Sequence, residues 1–321
     1  MPFKTPNFWG HKKSVWASIL SPLSCLYLAG HRLNVKRQKS YTSSLPVICV
    51  GNIVAGGSGK TPAVISLVDL LNKDSGFHNI YILTRGYGGT LKGPTSLSLA
   101  DQTHDETGDE ARLLAHHAPV ILSADRPAGA KLAELAGADL LIMDDGLQNP
   151  TLSKTLSFLV VDDSFGLGNG RLIPAGPLRE PVLDTLNKTD AIILIGKNLP
   201  FETDKPVFNA QIKPARILPS NTPYIAFAGI GRPGKFLTTL QDIKVNLIDF
   251  HAYADHHPYS EKDIQKLKER ARISGATLIT TEKDMVRLSP SLAEGIETLP
   301  ISLVFDDPSA VRSFIEAKIA K

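Results

Sequence analysis

The sequence predicts a doubly wound, mostly parallel α/β sheet followed by a second, smaller α/β domain. From Leu45 onward, short β-branched runs alternate with helical patterns, as in parallel sheets whose strands are joined by crossover helices. A glycine-rich loop follows the first of these strands. A stretch with four prolines (Pro206, Pro214, Pro219 and Pro223) then separates two such series. A chain of 321 residues is long enough to bury both cores.

The N-terminal region contains an apolar stretch, residues 15–29, with basic residues on both sides. Trp16 and Tyr27 are aromatic residues of the kind that favour a membrane interface. A membrane-spanning helix needs about 20 apolar residues, and this stretch is shorter and contains Pro22. We therefore predict that residues 1–40 form a membrane-associated helix lying in the interface. A helix packed on the protein's own core and a true membrane span are the alternatives.

Basic charge is concentrated before the first acidic residue, Asp69. The whole chain has a formal net charge of only +3, so this local excess predicts an anionic partner, either nucleic acid or a lipid surface. The neighbouring apolar stretch favours an anionic membrane surface, and we expect no nucleic acid partner. The basic residues in question are Lys4, Lys12, Lys13, Arg32, Lys36, Arg37, Lys39 and Lys60.

Residues 41–215 are predicted to form the larger domain, and residues 216–321 the smaller one. Strands are predicted in the larger domain at 46–50, 80–84, 120–123, 140–143, 158–161 and 191–195, and helices at 61–71, 109–115 and 126–135. In the smaller domain we predict strands at 224–228, 245–250, 277–281 and 301–305, and helices at 233–240, 260–274 and 309–320. Ser260 and Asp263 have the spacing of a capping box.

The strongest motif is the loop after the first predicted strand, which ends in Gly-Lys-Thr and opens a helix. In a loop of this kind, successive backbone N–H groups and the helix N-terminus surround a polyphosphate. Lys60 would contact the β and γ phosphates, and the Thr61 hydroxyl would bind Mg²⁺. The context predicts a P-loop NTPase-like fold that binds ATP with Mg²⁺. The nucleotide-binding residues are Ala55, Gly56, Gly57, Ser58, Gly59, Lys60, Thr61 and Pro62.

The loop departs from the general pattern G-x-x-x-x-G-K-[ST], because Val54 stands where that pattern has its first glycine. The Gly-Gly-x-Gly-Lys-Thr order instead resembles the loop of the dethiobiotin-synthase and partition-ATPase branch of P-loop proteins. Partition ATPases carry a second lysine at the position of Ala55. A partition- or metallochaperone-type ATPase switch is therefore an alternative that this position disfavours.

Two carboxylates follow the fourth predicted strand, at Asp144 and Asp145. In a parallel sheet, a carboxylate at this position lies near the phosphate loop and supplies an oxygen ligand for Mg²⁺. Residues along a strand alternate between the two faces of the sheet, but Asp145 already lies in the turn. Either aspartate could therefore bind the metal.

A kinase also needs a group that accepts the proton of the attacking hydroxyl. Asp109 and Glu110 supply two carboxylates at the head of a predicted helix, where they could equally serve only to stabilise the helix N-terminus. Arg126 could neutralise a phosphate or pair with Asp125. The residues alone assign no role to the histidine pair that contains His256.

Taken together, these segments resemble the tetraacyldisaccharide 4′-kinase (lipid A 4′-kinase) family. The resemblance extends over nearly the whole chain, and its motifs occur in the family's order. They are Val50-Gly51-Asn52 with the Gly-Lys-Thr-Pro loop, Thr84-Arg85-Gly86-Tyr87-Gly88, Gly108-Asp109-Glu110-Ala111, Asp125-Arg126, Met143-Asp144-Asp145-Gly146-Leu147-Gln148, Leu172-Ile173-Pro174-Ala175-Gly176-Pro177-Leu178-Arg179-Glu180-Pro181, Ala228-Gly229-Ile230-Gly231-Arg232-Pro233, Asp255-His256-His257-Pro258-Tyr259 and Thr281-Glu282-Lys283-Asp284.

The resemblance implies transfer of the ATP γ-phosphoryl group to the 4′-hydroxyl of a tetraacylated glucosamine disaccharide 1-phosphate. Residues 41–215 would then be a P-loop kinase domain. By analogy with the family, Asp109 is the base and His256, from the second domain, is its partner. The remaining implied site residues are Lys60 for catalysis, Thr61, Asp144 and Asp145 for Mg²⁺, and Glu110, Arg126 and Glu180 for the substrate.

The implied location is the cytoplasmic face of a bacterial inner membrane, with the protein bound peripherally or monotopically. Cys25 and Cys49 are the only cysteines, so the sequence contains neither a disulfide framework nor a thiolate metal site. This composition fits a reducing cytoplasm. A membrane-associated nucleotide-binding scaffold without enzymatic activity is a further alternative.

Overall fold

The computed structural model describes residues 6–57, 59–74 and 76–320, and the chain divides into two compact units. The larger unit contains the described residues 6–212 together with residues 303–320. The smaller unit is Lys213–Ser302. Ser58, expected in the phosphate loop, lies outside the described residues.

The larger unit alternates helices and strands around one sheet. Its helices are α1 (Val15–Arg37), α2 (Lys60–Asp74), α3 (His104–Thr107), α4 (Asp109–Ala115), α5 (Arg126–Leu135), α6 (Val182–Leu186) and α11 (Pro308–Ile319), after a 3-10 turn at Asn7–Gly10. Its strands are β1 (Val47–Gly51), β2 (Ile80–Thr84), β3 (Thr95–Ser96), β4 (Val120–Leu122), β5 (Leu140–Asp144), β6 (Leu156–Asp162), β7 (Ala191–Ile195), β8 (Val207–Pro214) and β13 (Ile301–Phe305).

The nine strands follow the order β13-β8-β7-β6-β1-β5-β2-β4-β3. Pairing is parallel from β8 to β4, whereas β3 runs antiparallel to β4. The connections lead from β1 towards β2 and β4 on one side, and from β6 towards β7 and β8 on the other. The predicted doubly wound sheet is therefore confirmed, and the strand order reverses around β1, where such folds bind ligands.

Helices cover both faces of this sheet, which is why the central strands are apolar throughout. On one face, Ile48 and Val50 of β1 belong to a buried cluster with α2, α4 and α11. On the other face, Val47 and Cys49 pack in a second cluster with α5. Burial on both sides selects continuous apolar runs in place of alternation.

The C-terminal segment differs from the sequence-based division, which assigned all of 216–321 to the smaller domain. In the structure, β13 lies beside β8, and α11 packs on the large sheet. Leu303, Phe305, Val311 and Ile315 are buried in the larger unit's core. The apolar side chains of this segment thus complete the larger core.

β8 was not expected from the sequence. Its residues alternate between exposed and half-buried positions, and only Ala210 is fully buried. Such a strand lacks the apolar run of its neighbours, and it lies in the proline-containing stretch that reads as a linker. Its pairing partners β7 and β13 stabilise it.

The smaller unit is a four-stranded parallel sheet in the order β10-β9-β11-β12. Its elements are β9 (Pro223–Ala228), α7 (Pro233–Asp242), β10 (Asn246–Ala252), α8 (Glu261–Ser274), β11 (Thr277–Thr280), α9 (Glu282–Met285), α10 (Pro290–Ala293) and β12 (Ile296–Thr298). Ser260 and Asp263 form the expected capping box at the start of α8. The predicted second α/β domain is confirmed.

α1 packs one side on the larger unit and leaves many large apolar side chains exposed. The Ser24 hydroxyl donates to the Leu172 carbonyl at 2.8 Å, and Arg32 pairs with Asp184 at 2.9 Å. Of its residues, only Ala17 and Ser24 are buried. No helix in the described part of the chain is both long and apolar enough to cross a bilayer. The exposed apolar side chains are Val15, Trp16, Ile19, Leu23, Leu26 and Leu33.

Ile315→Ala should test the return of the C-terminal segment to the larger core. Ile315 has no exposed surface, so its truncation should lower the free energy of unfolding by about 2–5 kcal/mol. Leu135→Ala, at a side chain that is 86% exposed in the same unit, is the control and should change it by less than about 0.5 kcal/mol. Urea denaturation measures both, and equal effects would contradict the assignment.

Candidate active site

The phosphate loop leaves the fully buried strand β1 and enters α2 at Lys60. The Ala55 N–H donates to the Pro177 carbonyl at 2.8 Å, which anchors the loop to the Arg171–Glu180 segment. Gly56 and Gly59 have positive φ angles of 107° and 81°. A Cβ at Gly59 would also lie 2.2 Å from the Ile195 side chain. The loop therefore needs glycine at this position for both its backbone conformation and its packing.

Lys60 lies beside the carboxylate of Asp145, with 3.8 Å between its Nζ and Asp145 Oδ1. Arg179 donates to the same oxygen at 2.7 Å. Burial alone would raise the pKa of Asp145, but the charges of Lys60 and Arg179 lower that pKa to about 2. Asp145 is therefore an ionised group held between two cations.

Asp144 has the opposite electrostatic character. It is buried, and burial together with the nearby charges of Glu110 and Asp145 raises its pKa to about 6. Thr84 Oγ1 donates to its Oδ2 at 3.2 Å. Its Oδ1 is also buried and accepts no hydrogen bond from any described residue. A cation bound to this oxygen would therefore strongly stabilise the ionised form of Asp144.

Arg126 stabilises the strand ends behind these aspartates. Its guanidinium donates to the backbone carbonyl of Asp144 at 3.0 Å and of Ser123 at 3.3 Å. Burial lowers its pKa, while the charges of Asp144 and Asp145 oppose that effect. The alternative pairing with Asp125 does not occur, because the Asp125 side chain caps α5 by accepting from the Ala128 N–H.

Asp109 and Glu110 occupy the first turn of α4, as expected. Asp109 is buried, and the charge of Glu110 contributes to the raised pKa of Asp144, so this helix start lies beside the end of β5. A tight loop contact fixes the position: a Cβ at Gly108 would lie 2.3 Å from the Tyr87 carbonyl. The glycines of the two loop motifs thus permit the backbone approach that brings these carboxylates to the site.

Glu180 is almost fully buried and surrounded by polar partners. Lys188 pairs with its Oε2 at 2.5 Å, and His31 of α1 lies 3.8 Å from the same oxygen. The Gln148 amide donates to its Oε1 at 3.1 Å and accepts from Arg179 at 3.2 Å. Glu180 is thereby connected through two side chains to Asp145.

Several residues of this polar network have no role assigned from the sequence. Arg179, Gln148 and Thr84 stand inside the motifs that carry the family resemblance. Their position in these motifs is the signal by which the sequence could have identified them. His31 and Lys188 stand outside those motifs, and nothing in their sequence context marks them.

His256 belongs to the smaller unit and has an unusual backbone conformation, with a φ angle of 54°. Its N–H donates to the Gly229 carbonyl at 3.0 Å. Its Nδ1 lies 3.5 Å from Nη2 of Arg287. The side chain is 30% exposed.

The described residues contain no cluster of three or more His, Cys, Asp or Glu side chains that could hold a metal ion. The end of β5 instead presents two carboxylates, Asp144 and Asp145, and the hydroxyl-bearing residue Thr61 is buried in the first turn of α2. This donor set suits an ion such as Mg²⁺, which uses one or two protein carboxylates and takes its other ligands from water and phosphate.

Comparisons with known proteins agree over nearly the full chain. A family model described as tetraacyldisaccharide-1-P 4′-kinase matches residues 16–320. A tetraacyldisaccharide 4′-kinase of Bradyrhizobium sp. strain BTAi1 is 42% identical, covering 99% of this chain and 96% of that protein. One of Rhodospirillum rubrum is 40% identical, covering 98% of each. A crystal structure of LpxK from Aquifex aeolicus in complex with ATP has a TM-score of 0.78 at 29% identity, covering 94% of this chain and 99% of that one.

Asp144→Asn should stabilise the ligand-free protein near pH 7. Because the folded-state pKa is raised from 3.8 to about 6, the folded protein binds this proton more tightly, and stability falls as pH rises through that interval. Removing the charge should recover about 1–3 kcal/mol near pH 7 and nothing near pH 4. Urea unfolding with a chelator present measures this. Asp204→Asn, at an exposed site, is the control, and a variant less stable than wild type near pH 7 would contradict the electrostatic account.

Proposed function

Because this chain belongs to the tetraacyldisaccharide-1-phosphate 4′-kinase family, we propose that its Lys60 loop holds ATP with Mg²⁺ and that Asp109 faces the sugar acceptor. The protein is an ATP-dependent lipid A 4′-kinase that transfers a phosphoryl group to a tetraacyldisaccharide 1-phosphate. An ATPase switch without a phosphorylated product is not favoured. The observation that supports the site is that Lys60 lies close to three acidic side chains. These are Asp144 and Asp145 at the end of β5, and Glu110 in the first turn of α4.

The metal would be held by Asp144, Asp145 and Thr61. The buried oxygen of Asp144 that accepts from no described residue supports this assignment, because a bound cation would compensate its desolvation. When bound, Mg²⁺ neutralises phosphate charge and orients the γ-phosphoryl group. Asp145 would keep its ionised state throughout, since Arg179 remains paired with it.

Lys60 has a role that follows from its resting contact. In the structure its ammonium lies 3.8 Å from Asp145 and is mostly buried. We infer that it moves to the β and γ phosphates when nucleotide binds, and that Arg179 then compensates Asp145 alone. Gly56, Gly57, Ser58 and Gly59 would supply the backbone N–H groups around the phosphates, and Ala55, whose own N–H bonds to Pro177, would line the loop. Pro62 would stand in the first turn of the helix with no N–H to satisfy.

The acceptor chemistry is assigned to Asp109. As the acceptor O4′ bonds to the γ-phosphorus, the bond from that phosphorus to the β–γ bridging oxygen breaks and leaves ADP. Asp109 takes the hydroxyl proton, and we propose His256 as a second catalytic residue. Glu110, Arg126 and Glu180 would position the substrate, Arg126 through the strand ends that it supports.

We propose further that α1 binds the cytoplasmic face of the inner membrane, where the acyl chains of the substrate lie. Two observations support it: the exposed apolar side chains of this helix, and the basic residues Lys36 and Arg37 in its last turn. An interfacial helix buries its apolar face while its cations contact anionic headgroups. The protein would bind peripherally or monotopically.

Asp109→Asn should lower kcat for the lipid acceptor by about 10²- to 10⁴-fold, because the amide cannot accept the proton. The KM for ATP should change little, since no phosphate contact is assigned to Asp109. Transfer of label from γ-labelled ATP to tetraacyldisaccharide 1-phosphate measures both. Asp105→Asn replaces an 83% exposed carboxylate just before this helix and should leave kcat unchanged; near-normal kcat in Asp109→Asn would reject its role as base.

Replacing Trp16 and Leu26 by serine should weaken binding to vesicles containing anionic phospholipid by about tenfold or more, since each apolar side chain buried in lipid contributes about 1.5–3 kcal/mol. Both side chains are at least 65% exposed, so folding should be unaffected. Leu135→Ser with Ile217→Ser, at exposed positions outside α1, is the matched control. Vesicle sedimentation measures the difference, and equal binding of both double variants would exclude α1 as the anchor.

A further inference from the structure

Three sequence motifs of the smaller unit converge on one buried side chain. They are the loop after β9 that begins with Gly229, the turn containing His256 and Tyr259, and the start of α9 at Thr281–Asp284. Only His256 has a role in the reaction proposed above. The other polar residues of these motifs need a separate explanation, and their contacts with Asp284, which has no exposed surface, supply it.

Asp284 accepts hydrogen bonds at both carboxylate oxygens. Its Oδ1 accepts from the Gly229 N–H at 3.0 Å, the Tyr259 hydroxyl at 2.9 Å and Arg287 Nη1 at 2.9 Å. Its Oδ2 accepts from the Thr281 hydroxyl at 2.6 Å. A buried carboxylate with this many donors is a rigid centre, and it holds the plane of the Arg287 guanidinium in one orientation.

The Arg287 guanidinium joins this centre to His256. Its Nη1 also donates to the Gly229 carbonyl at 2.8 Å, and its Nη2 lies 3.5 Å from His256 Nδ1. A guanidinium has donors and no acceptor, so the imidazole nitrogen facing it must present a lone pair. The ring proton of a neutral His256 is then on Nε2.

The backbone of His256 is tied to the same group. Its N–H donates to the Gly229 carbonyl at 3.0 Å, and its left-handed φ of 54° is sustained by that contact. Gly229 admits no side chain, because a Cβ there would lie 2.8 Å from the Tyr259 hydroxyl. The Gly229 carbonyl thus holds the backbone of His256 directly and its ring through Arg287.

The charged groups around the imidazole favour the same assignment. Asp255 Oδ1 lies 3.9 Å from His256 Nε2. A carboxylate near Nε2 and a guanidinium near Nδ1 both stabilise a proton on Nε2 and oppose one on Nδ1. Asp284 accepts from Arg287, and the Tyr259 hydroxyl donates to Asp284.

We propose that Asp284 and Arg287 are positioning residues that hold His256 as the neutral tautomer protonated on Nε2, so that Nε2–H is the atom that His256 offers in the reaction. This inference rests on the proposed role of His256 and adds the atom and the protonation state. A neutral imidazole protonated on Nε2 can donate one hydrogen bond without bringing a positive charge, which would lower the pKa of a catalytic base.

Nuclear magnetic resonance of the ring nitrogens in the full-length protein tests the assignment without reference to activity. Above the usual histidine pKa of about 6.5, ¹⁵N shifts distinguish a protonated from an unprotonated ring nitrogen. His256→Gln identifies the signal. We expect wild type to show protonated Nε2 and unprotonated Nδ1, and the Nδ1–H tautomer or an imidazolium at this pH would overturn the proposal.

Arg287→Lys is the perturbing variant, because lysine keeps the charge beside Asp284 but lacks the second nitrogen that faces Nδ1. We expect a mixture of tautomers and a kcat lowered by about 10- to 100-fold with an unchanged KM for ATP, as for groups that orient other functional histidines. Arg272→Lys, at an exposed arginine of α8 in the same unit, is the matched control and should keep the wild-type spectrum and kcat. A wild-type tautomer in Arg287→Lys would overturn the proposal whatever its kcat.

The two proposals fail in different ways. If His256→Gln retained wild-type kcat, the catalytic role of His256 would be rejected, while His257→Gln provides the matched neighbouring control. The spectrum of wild-type His256 would still decide the tautomer. If Arg287→Lys did not fold, the wild-type spectrum would still test the proposal, because an Nδ1–H tautomer or an imidazolium there would overturn it.

Discussion

The parallel pairing of β1 with β5, with Val50 opposite Asp144, is the constraint on which the site depends. It brings the loop that leaves β1 and the carboxylates that end β5 to the same edge of the sheet. There the two adjacent aspartates differ sharply: Asp145 is held ionised by Lys60 and Arg179, while Asp144 is desolvated and has an oxygen without a described partner. This strand register thus places a stable carboxylate anion, Asp145, next to a carboxylate that a bound cation would stabilise, Asp144.

How far the sequence predicts this arrangement depends on how local each signal is. The strands Ile80–Thr84 and Ala191–Ile195 and the Gly-Lys-Thr loop are visible because their patterns lie in a few consecutive residues. The alternation of short apolar strands with helical patterns does not predict β8, whose residues are mostly polar or partly exposed. No local pattern reveals that the segment from Leu303 rejoins the larger sheet. The bond between Arg179 and Asp145 is likewise a tertiary contact between distant segments.

Glycines explain motif residues that carry no chemistry themselves. Gly108 lets the loop before α4 approach the Tyr87 carbonyl, and Gly229 lets the backbone near His256 approach Tyr259. In both places the residue beside a proposed functional side chain is small because another backbone or ring occupies the space of its Cβ. Sequence resemblance identifies these positions, but their physical reason is steric and becomes visible only in three dimensions.

The attachment of α1 has a consequence for anyone seeking a version of the enzyme that dissolves without detergent. The apolar residues Trp16 and Leu26 are separate from Ser24, Arg32 and His31, which bond or approach the rest of the larger unit. Removing the whole helix would open the buried Glu180 to water and disturb a polar chain that continues to Asp145. Replacing the exposed apolar side chains of the helix by polar ones would leave the hydrogen bonds from Glu180 to Asp145 intact and shielded from water. Redesign of the helix is therefore preferable to truncation.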